Sequence, residues 1–477
     1  MKMNAPVESW ERQIDRRARL RVPSPRLEYR PAEERARDFN EACLGYTPET
    51  ARMEASRCIQ CPEPQACALA CPLHIDIPSA LWEISQGNFI AAANIYRQAS
   101  SFPELCGRLC PDEYLCAGSC GVGKHYPSVR LGRLEAYVCD IQRKTYGLTV
   151  IGRPPQDAAR VAVVGSGPSG LTASEWLINH GRGVTVFDQN ARPGGALAYS
   201  IPRFRLPLEI LEDKIEHLER IGVEFVTGIR VGRDIQFKDL FAADFQAILL
   251  STGAGLERTL QLQSVDLKCV WRAQDFLMQT NLGPNYLPSG VPAAIEIGHR
   301  VIIYGRGHSA IDCARTAIRL GARQVICLFS GTEMDLLCRV EDRLAAEEEG
   351  VIFHHLSQPL LLEGDDNHRL QTVICQQMRP KCEGSQRSST PVEGAIYTLP
   401  VDTFIYAQEL GPDEAILKRF SGLEITPGGW IACDSQTGRT NLAGVFAAGD
   451  NTGDEHLAVF AIAQGQRVAQ AIHEYLG

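Results

Sequence analysis

The sequence predicts an α/β protein in which a helical, cysteine-rich amino-terminal domain precedes two tandem Rossmann-like dinucleotide-binding domains, the second inserted in the first. Two observations carry that expectation. Residues 159–188, ARVAVVGSGPSGLTASEWLINHGRGVTVFD, run as strand, Gly-rich turn, helix and strand, and residues 299–329 repeat the arrangement. Ten of the 17 cysteines lie before residue 140, and eight of those ten form two tight groups. The expected divisions are an Arg-rich arm over 1–40, a helical domain over 41–151, a first dinucleotide domain in two parts over 156–287 and 401–477, and a second over 288–400.

A chain of 477 residues with 44% hydrophobic composition is long enough for two or three separate cores. The net charge of −9 offers no global attraction to DNA phosphates or anionic lipid, so neither nucleic acid nor membrane is an expected partner. No apolar run approaches the length of about 18 residues that a spanning helix needs. The opening MKMNAPVESWERQ lacks the apolar stretch of a secretory signal, so a cytoplasmic location is expected. Disulfides are disfavoured there, and the cysteines need another role.

Residues 11–37 are rich in arginine, with Pro23, Pro25 and Pro31 interrupting any long helix. A solvated or loosely packed arm is expected, docking on an acidic partner subunit being the alternative. Next come the cysteine groups, separated by a stretch of helical periodicity from Ile77 to Ala99. The first is Cys58-x2-Cys61-x5-Cys67-x3-Cys71-Pro72; the second is Cys106-x3-Cys110-Pro111 followed by Cys116-x3-Cys120. Close thiolate pairs let a short loop wrap an iron–sulfur cubane while a distant ligand closes the cage. The two Cys-Pro steps match the end of ferredoxin runs, where the fourth cysteine serves the other cluster, and so predict two interleaved clusters. A pair of four-thiolate zinc sites is the alternative, although only Cys58 and Cys61 have the short spacing of a zinc knuckle. Cys43 and Cys139 stand alone and read as buried thiols.

GRPPQDAAR at 152–160 reads as a linker. In the first dinucleotide unit, Gly165-Ser166-Gly167-Pro168-Ser169-Gly170 follows an apolar strand and opens a helix, and Asp188 ends the next strand. Gly165 permits the tight turn, Gly167 lets the backbone approach a pyrophosphate, and Gly170 allows close packing of helix and strand. Asp188 is placed to accept from the adenosine ribose hydroxyls. Gly194-Gly195, Ser251-Thr252-Gly253 and Gly449-Asp450 read as further close approaches to a long ligand, with Asp450 bonding the ribityl chain of FAD. The polar stretch at 364–394 reads as a hairpin with a surface loop.

Taken together, CIQCPEPQACALACP, CGRLCPDEYLCAGSC, VAVVGSGPSGLTAS, PGGALAYSIPRFRLP and VFAAGD resemble the small subunit of bacterial glutamate synthase and its relatives. Those relatives include the amino-terminal half of dihydropyrimidine dehydrogenase and the large subunit of ferredoxin:NADP transhydrogenase. The resemblance runs from about residue 40 to the end. It implies a glutathione reductase-like tandem of dinucleotide domains, FAD, two 4Fe–4S clusters, and electron flow between a nicotinamide dinucleotide and a partner catalytic subunit or ferredoxin. It also implies that Cys58, Cys61, Cys67 and Cys120 hold one cluster and Cys71, Cys110, Cys116 and Glu135 the other, leaving Cys106 a spectator. An ordinary helix-surface carboxylate is the alternative for Glu135. The flavin carries the hydride chemistry on this reading, so no catalytic side chain is expected.

Two other readings stay open. Thioredoxin reductases share the tandem architecture, but they carry a close redox-active pair, and no Cys-x-x-Cys follows residue 150. The second dinucleotide unit is also a candidate for degeneracy, which would leave a relay of electrons. There Gly305-Arg306-Gly307-His308-Ser309-Ala310 keeps the first two glycines, with Ala310 in place of the third. NADPH-using relatives set an arginine pair just after the next strand, where this chain has Ser330-Gly331. Without that rigid fork a 2′-phosphate is poorly held, so NAD(H) is expected over NADP(H). His308 and Glu409 are candidates for restricting the site.

Overall fold

The structure, a computed structural model, describes residues 14–150, 152–254, 256–257, 262, 267–282, 287, 295–383, 386–408, 410–413, 420–453 and 456–477. The first dinucleotide sheet has five parallel strands in the order Val445–Ala447, Phe245–Leu250, Arg160–Val164, Gly183–Asp188 and Glu224–Thr227. Two of its central strands are covered on both faces over the apolar runs 161–164 and 247–250. The edge strand Val445–Ala447 arrives from beyond the second unit, so the second domain is inserted in the first.

The second sheet, also parallel, is ordered Val351–His354, Gln324–Leu328, Arg300–Tyr304, Thr403–Tyr406 and Val270–Arg272. Two of these strands lie outside the expected 288–400 division, which is corrected accordingly. Both are short, and the sheet a short apolar strand joins is decided by its partner, not by its own pattern. A three-stranded antiparallel sheet follows Val351–His354, and the expected hairpin is its pair Leu370–Glu383 and Gln386–Pro400.

In the amino-terminal domain the expected helical stretch divides into Ile77–Gln86 and Phe89–Ala99. Gly87, at φ 85°, ends the first helix in the left-handed conformation that glycine tolerates best. Leu81, Ile84, Ala92 and Tyr96 from this pair pack on Leu134 and Val138 of the helix Leu131–Tyr146.

The arm is packed in part, at Leu27 and Arg35, and the expectation of a wholly solvated or loosely packed segment is corrected there, while Asp15 to Ala18 are exposed. Arg35 is 2% exposed; its guanidinium meets Glu349 at 2.9 Å and Glu348 at 2.6 Å. Glu349 also takes Arg315 and Arg319, each at 2.7 Å, and both guanidinium groups lie over the Phe204 ring. One buried carboxylate thus joins the arm and the second dinucleotide domain beside a ring of the first. Burial opposes its charge, yet Arg315 and Arg319 hold its pKa at about 2. Its contribution is therefore complete above the ordinary glutamate range and fades as pH falls towards that value. Glu349→Gln leaves three buried cations without their carboxylate and is expected to cost about 3–5 kcal/mol, read as a lower urea midpoint.

Candidate functional site

The first Gly-rich turn separates the jobs of its three glycines. Gly165 stands at φ 106°, its N–H donates to Phe187 O at 2.8 Å, and a Cβ there would lie 2.2 Å from Ser251 O. A Cβ on Gly170 would lie 2.0 Å from Gly165 O, so the helix packs this close only with glycine. A Cβ on Gly167 would meet nothing within 4 Å. That open space faces the amino terminus of the helix Pro168–Asn179, where backbone N–H groups favour an anion.

Asp188 does more than its sequence position announced. Its carboxylate accepts from Ser166 N–H at 2.9 Å, from the Ser166 hydroxyl and from Asn190 N–H at 2.8 Å. The Ser166 hydroxyl accepts in turn from Gly194 N–H at 2.9 Å. Asp188 therefore pins the turn while still lining the cleft, and Ser166 is a positioning residue that the glycine pattern does not single out. A Cβ on Gly195 would come 2.8 Å from Gly167 Cα, which places the Gly194-Gly195 bend on the same turn.

These residues open onto a cleft of about 590 Å³, lined also by Pro168, Ser169, Thr252, Gly253, Gly449 and Asp450. The Ser169 hydroxyl is buried without a hydrogen-bond partner, and Asp450 stands 3.6 Å from His456. Open backbone, a helix terminus and an orphaned hydroxyl fit a long phosphorylated ligand of the FAD kind. The same cleft is lined by Leu109, Cys110 and Pro111 of the second cysteine group, and by His308, Ser309 and Asp312 of the second dinucleotide unit.

The cysteines gather as two groups. Burial pushes the Cys67 thiol up to about 12, with Cys58, Cys120 and Cys61 adding to the shift. Burial likewise raises Cys58 to about 11. Neutral thiols are thus favoured until a cation compensates the thiolates. Arginines hold the connecting loop: Arg16 donates to Ile59 O at 3.1 Å and Gln60 O at 2.9 Å, and Arg19 donates to Cys58 O at 2.7 Å. Their roles were hidden in a run of arginines that composition reads as solvated.

Cys71, Cys110, Cys116, Cys106 and Glu135 line a small cavity of about 20 Å³. Glu135 is 8% exposed and its Oε1 has no hydrogen-bond partner, so the helix-surface alternative is overturned. A carboxylate orphaned among thiols fits a cluster ligand. Among the described residues no three His, Cys, Asp or Glu side chains stand close enough together to hold a single ion. Cys139 is fully buried, whereas Cys43 is half-buried.

In the second unit Gly305 N–H donates to Leu328 O at 3.1 Å, and a Cβ at Gly305 would lie 2.4 Å from Ala407 O and 3.1 Å from Ala310 Cβ. A Cβ at Gly307, as at Gly167, would meet nothing within 4 Å. Burial and Arg205 hold the His308 imidazole at a pKa of about 4, hence neutral at physiological pH. Arg205 meets Asp312 at 2.7 Å and Asp342 at 3.0 Å, a cross-link between the two dinucleotide units that no motif signals. Gln408 donates to Tyr304 O at 3.2 Å, while Glu409 lies outside the described residues.

Among the described residues no helix is long and apolar enough to cross a membrane. The family described as dihydropyrimidine dehydrogenase domain II, 4Fe-4S cluster, matches residues 35–146, and that described as pyridine nucleotide-disulphide oxidoreductase matches residues 159–465. The glutamate synthase (NADPH) small chain of Halomonas elongata is 31% identical over 94% of this chain and 96% of its own. That of Azospirillum brasilense is 33% identical over 94% and 93%. Among solved structures, Mycobacterium tuberculosis FprA in complex with NADPH superposes with a TM-score of 0.56 at 16% identity, over 67% of this chain and 85% of its own, a likeness of fold alone. A 4Fe-4S domain joined to an inserted pair of dinucleotide domains, matched along nearly its whole length, makes this chain a member of the glutamate synthase small-chain family of pyridine nucleotide-disulphide oxidoreductases.

Proposed function

We propose that this chain is the electron-transfer subunit of a multi-subunit oxidoreductase, moving electrons between a nicotinamide dinucleotide and a partner catalytic subunit or ferredoxin by way of FAD and two 4Fe–4S clusters. The observation that carries this reading is one cleft with three neighbours. Its wall is shared by the Gly165–Gly170 turn, by His308 and Asp312 of the second unit, and by Leu109, Cys110 and Pro111. Bound FAD exchanges electrons in pairs on one side and singly on the other.

The chain's residues supply placement. Gly167 leaves room for the pyrophosphate, and Ser166 with Asp188 holds the turn that frames it. Asp450 lines the stretch assigned to the ribityl chain. Cys58, Cys61, Cys67 and Cys120 would hold the first cluster and Cys71, Cys110, Cys116 and Glu135 the second. Cys106 and Cys110 line both the flavin cleft and the second cavity, which supports passage from flavin to the second group first.

The second unit takes NAD(H) in preference to NADP(H) on this reading, although the relatives are named for NADPH. Ser330 and Gly331 take the place of the arginine pair, and neither is a cation. Anaerobic titration with each nucleotide tests this: flavin absorbance is expected to bleach at lower concentrations of NADH than of NADPH. Bleaching by neither would favour a relay with a degenerate nicotinamide site.

A further inference from the structure

The two dinucleotide units can be aligned by the hydrogen bond that closes each turn. Gly165 N–H donates to Phe187 O, and Gly305 N–H donates to Leu328 O. Phe329 therefore stands where Asp188 stands in the first unit. Phe329 is 2% exposed and packs edge-on against His355, so the strand end that would present an acid to a ribose presents a core ring.

The chain returns an acid to this corner by another path. After Ser330 and Gly331, Thr332 and Asp335 form a reciprocal cap: Asp335 Oδ2 accepts from Thr332 N–H at 2.8 Å and from its hydroxyl at 2.7 Å. The carboxylate is folded back over Gly331, where an added Cβ would lie 2.9 Å from Oδ2 and 2.8 Å from Asp335 Cβ. Two residues on, Leu337 N–H donates to Arg306 O at 2.8 Å, and Gly307 and Leu337 form a parallel bridge. The segment carrying Asp335 is thus tied to the Gly305–Gly307 turn itself. A carboxylate has about four lone-pair sites, so the Thr332 bonds leave Asp335 able to accept from a diol.

We propose that Asp335 holds the adenosine ribose of NAD(H) and repels the 2′-phosphate of NADP(H), a specificity-determining role that rests on the nicotinamide-binding reading above. The carboxylate lies beside the two residues that replace the family's arginine pair, where it exchanges phosphate recognition for hydroxyl recognition. Thr332 keeps it ionised by donating two hydrogen bonds, and Arg306 and Arg387 face it from the turn and from the hairpin. Nearby Glu333 is paired with Arg343 at 2.5 Å.

The test uses the full chain with flavin and clusters intact. Dissociation constants of NAD+ and NADP+ are measured by calorimetry, and kcat/KM for NADH and NADPH with a dye acceptor. The wild type is expected to favour the unphosphorylated nucleotide in both measurements. Asp335→Asn keeps an oxygen for the Thr332 cap and is expected to narrow that preference roughly tenfold, the size of one lost charge-assisted contact. Flavin and iron content should not change. An unchanged ratio in Asp335→Asn would overturn the assignment. So would a wild type that favours NADP(H) and loses that preference in Arg306→Ala or Arg387→Ala, because those arginines would then hold the phosphate. Binding of neither nucleotide would remove the nicotinamide reading itself, and the assignment with it.

Discussion

Gly167→Val is expected to give a folded chain that purifies without flavin. The backbone at Gly167, φ −71° and ψ −177°, is extended and suits a β-branched residue, so valine meets no strain there. A Cβ at this position meets no protein atom within 4 Å, so no packing is disturbed. The isopropyl group instead fills the space before the helix terminus, where the pyrophosphate must sit within hydrogen-bond reach of backbone N–H groups. Flavin content, read from the visible spectrum of purified protein, should fall by roughly tenfold or more, since the phosphate contacts are lost together. Gly165→Val provides the contrast. It forces valine to φ 106° with its Cβ 2.2 Å from Ser251 O, and is expected to lower the yield of folded protein. Gly307→Val should spare the flavin and lose nucleotide binding. A yellow, fully loaded Gly167→Val protein would refute the placement of the pyrophosphate.

The fold was legible because its signals are local. A Gly-rich turn between an apolar strand and a helix announces itself twice, and cysteine spacing announces the amino-terminal domain. What stayed hidden depends on contacts between distant residues. Arg16 and Arg19 hold the carbonyls of residues 58–60, and Arg35 reaches Glu349 across more than 300 residues, yet in sequence all three belong to a charged stretch. The short strands Val270–Arg272 and Thr403–Tyr406 join a sheet that their own residues do not name. Asp335 was invisible for a related reason: an acid is sought at the end of the strand, and here a four-residue cap folds one back from beyond it.

Iron content should separate Glu135 from Cys106. Two cubanes bring about eight iron atoms to each chain, so loss of one leaves about four. Both side chains line the cavity with Cys71, Cys110 and Cys116, so a place on its wall does not choose between them. Their surroundings do. Cys106 is a fully buried thiol whose Sγ lies 3.9 Å from the Ser100 hydroxyl, a comfortable setting for a neutral group. Glu135 buries an oxygen that no protein group satisfies, on a helix otherwise packed through Leu134 and Val138. An unpartnered buried carboxyl costs stability unless a ligand completes it, and iron at this wall of the cavity would do so. Glu135→Ala, prepared anaerobically, is therefore expected to retain about four iron atoms, with the electron paramagnetic resonance signal of the first cluster intact. Cys106→Ala should retain about eight. Cys67→Ala should lose the first cluster and keep the second. If Cys106→Ala instead drops to about four while Glu135→Ala stays near eight, the fourth ligand is the thiol, and the orphaned carboxylate has another role.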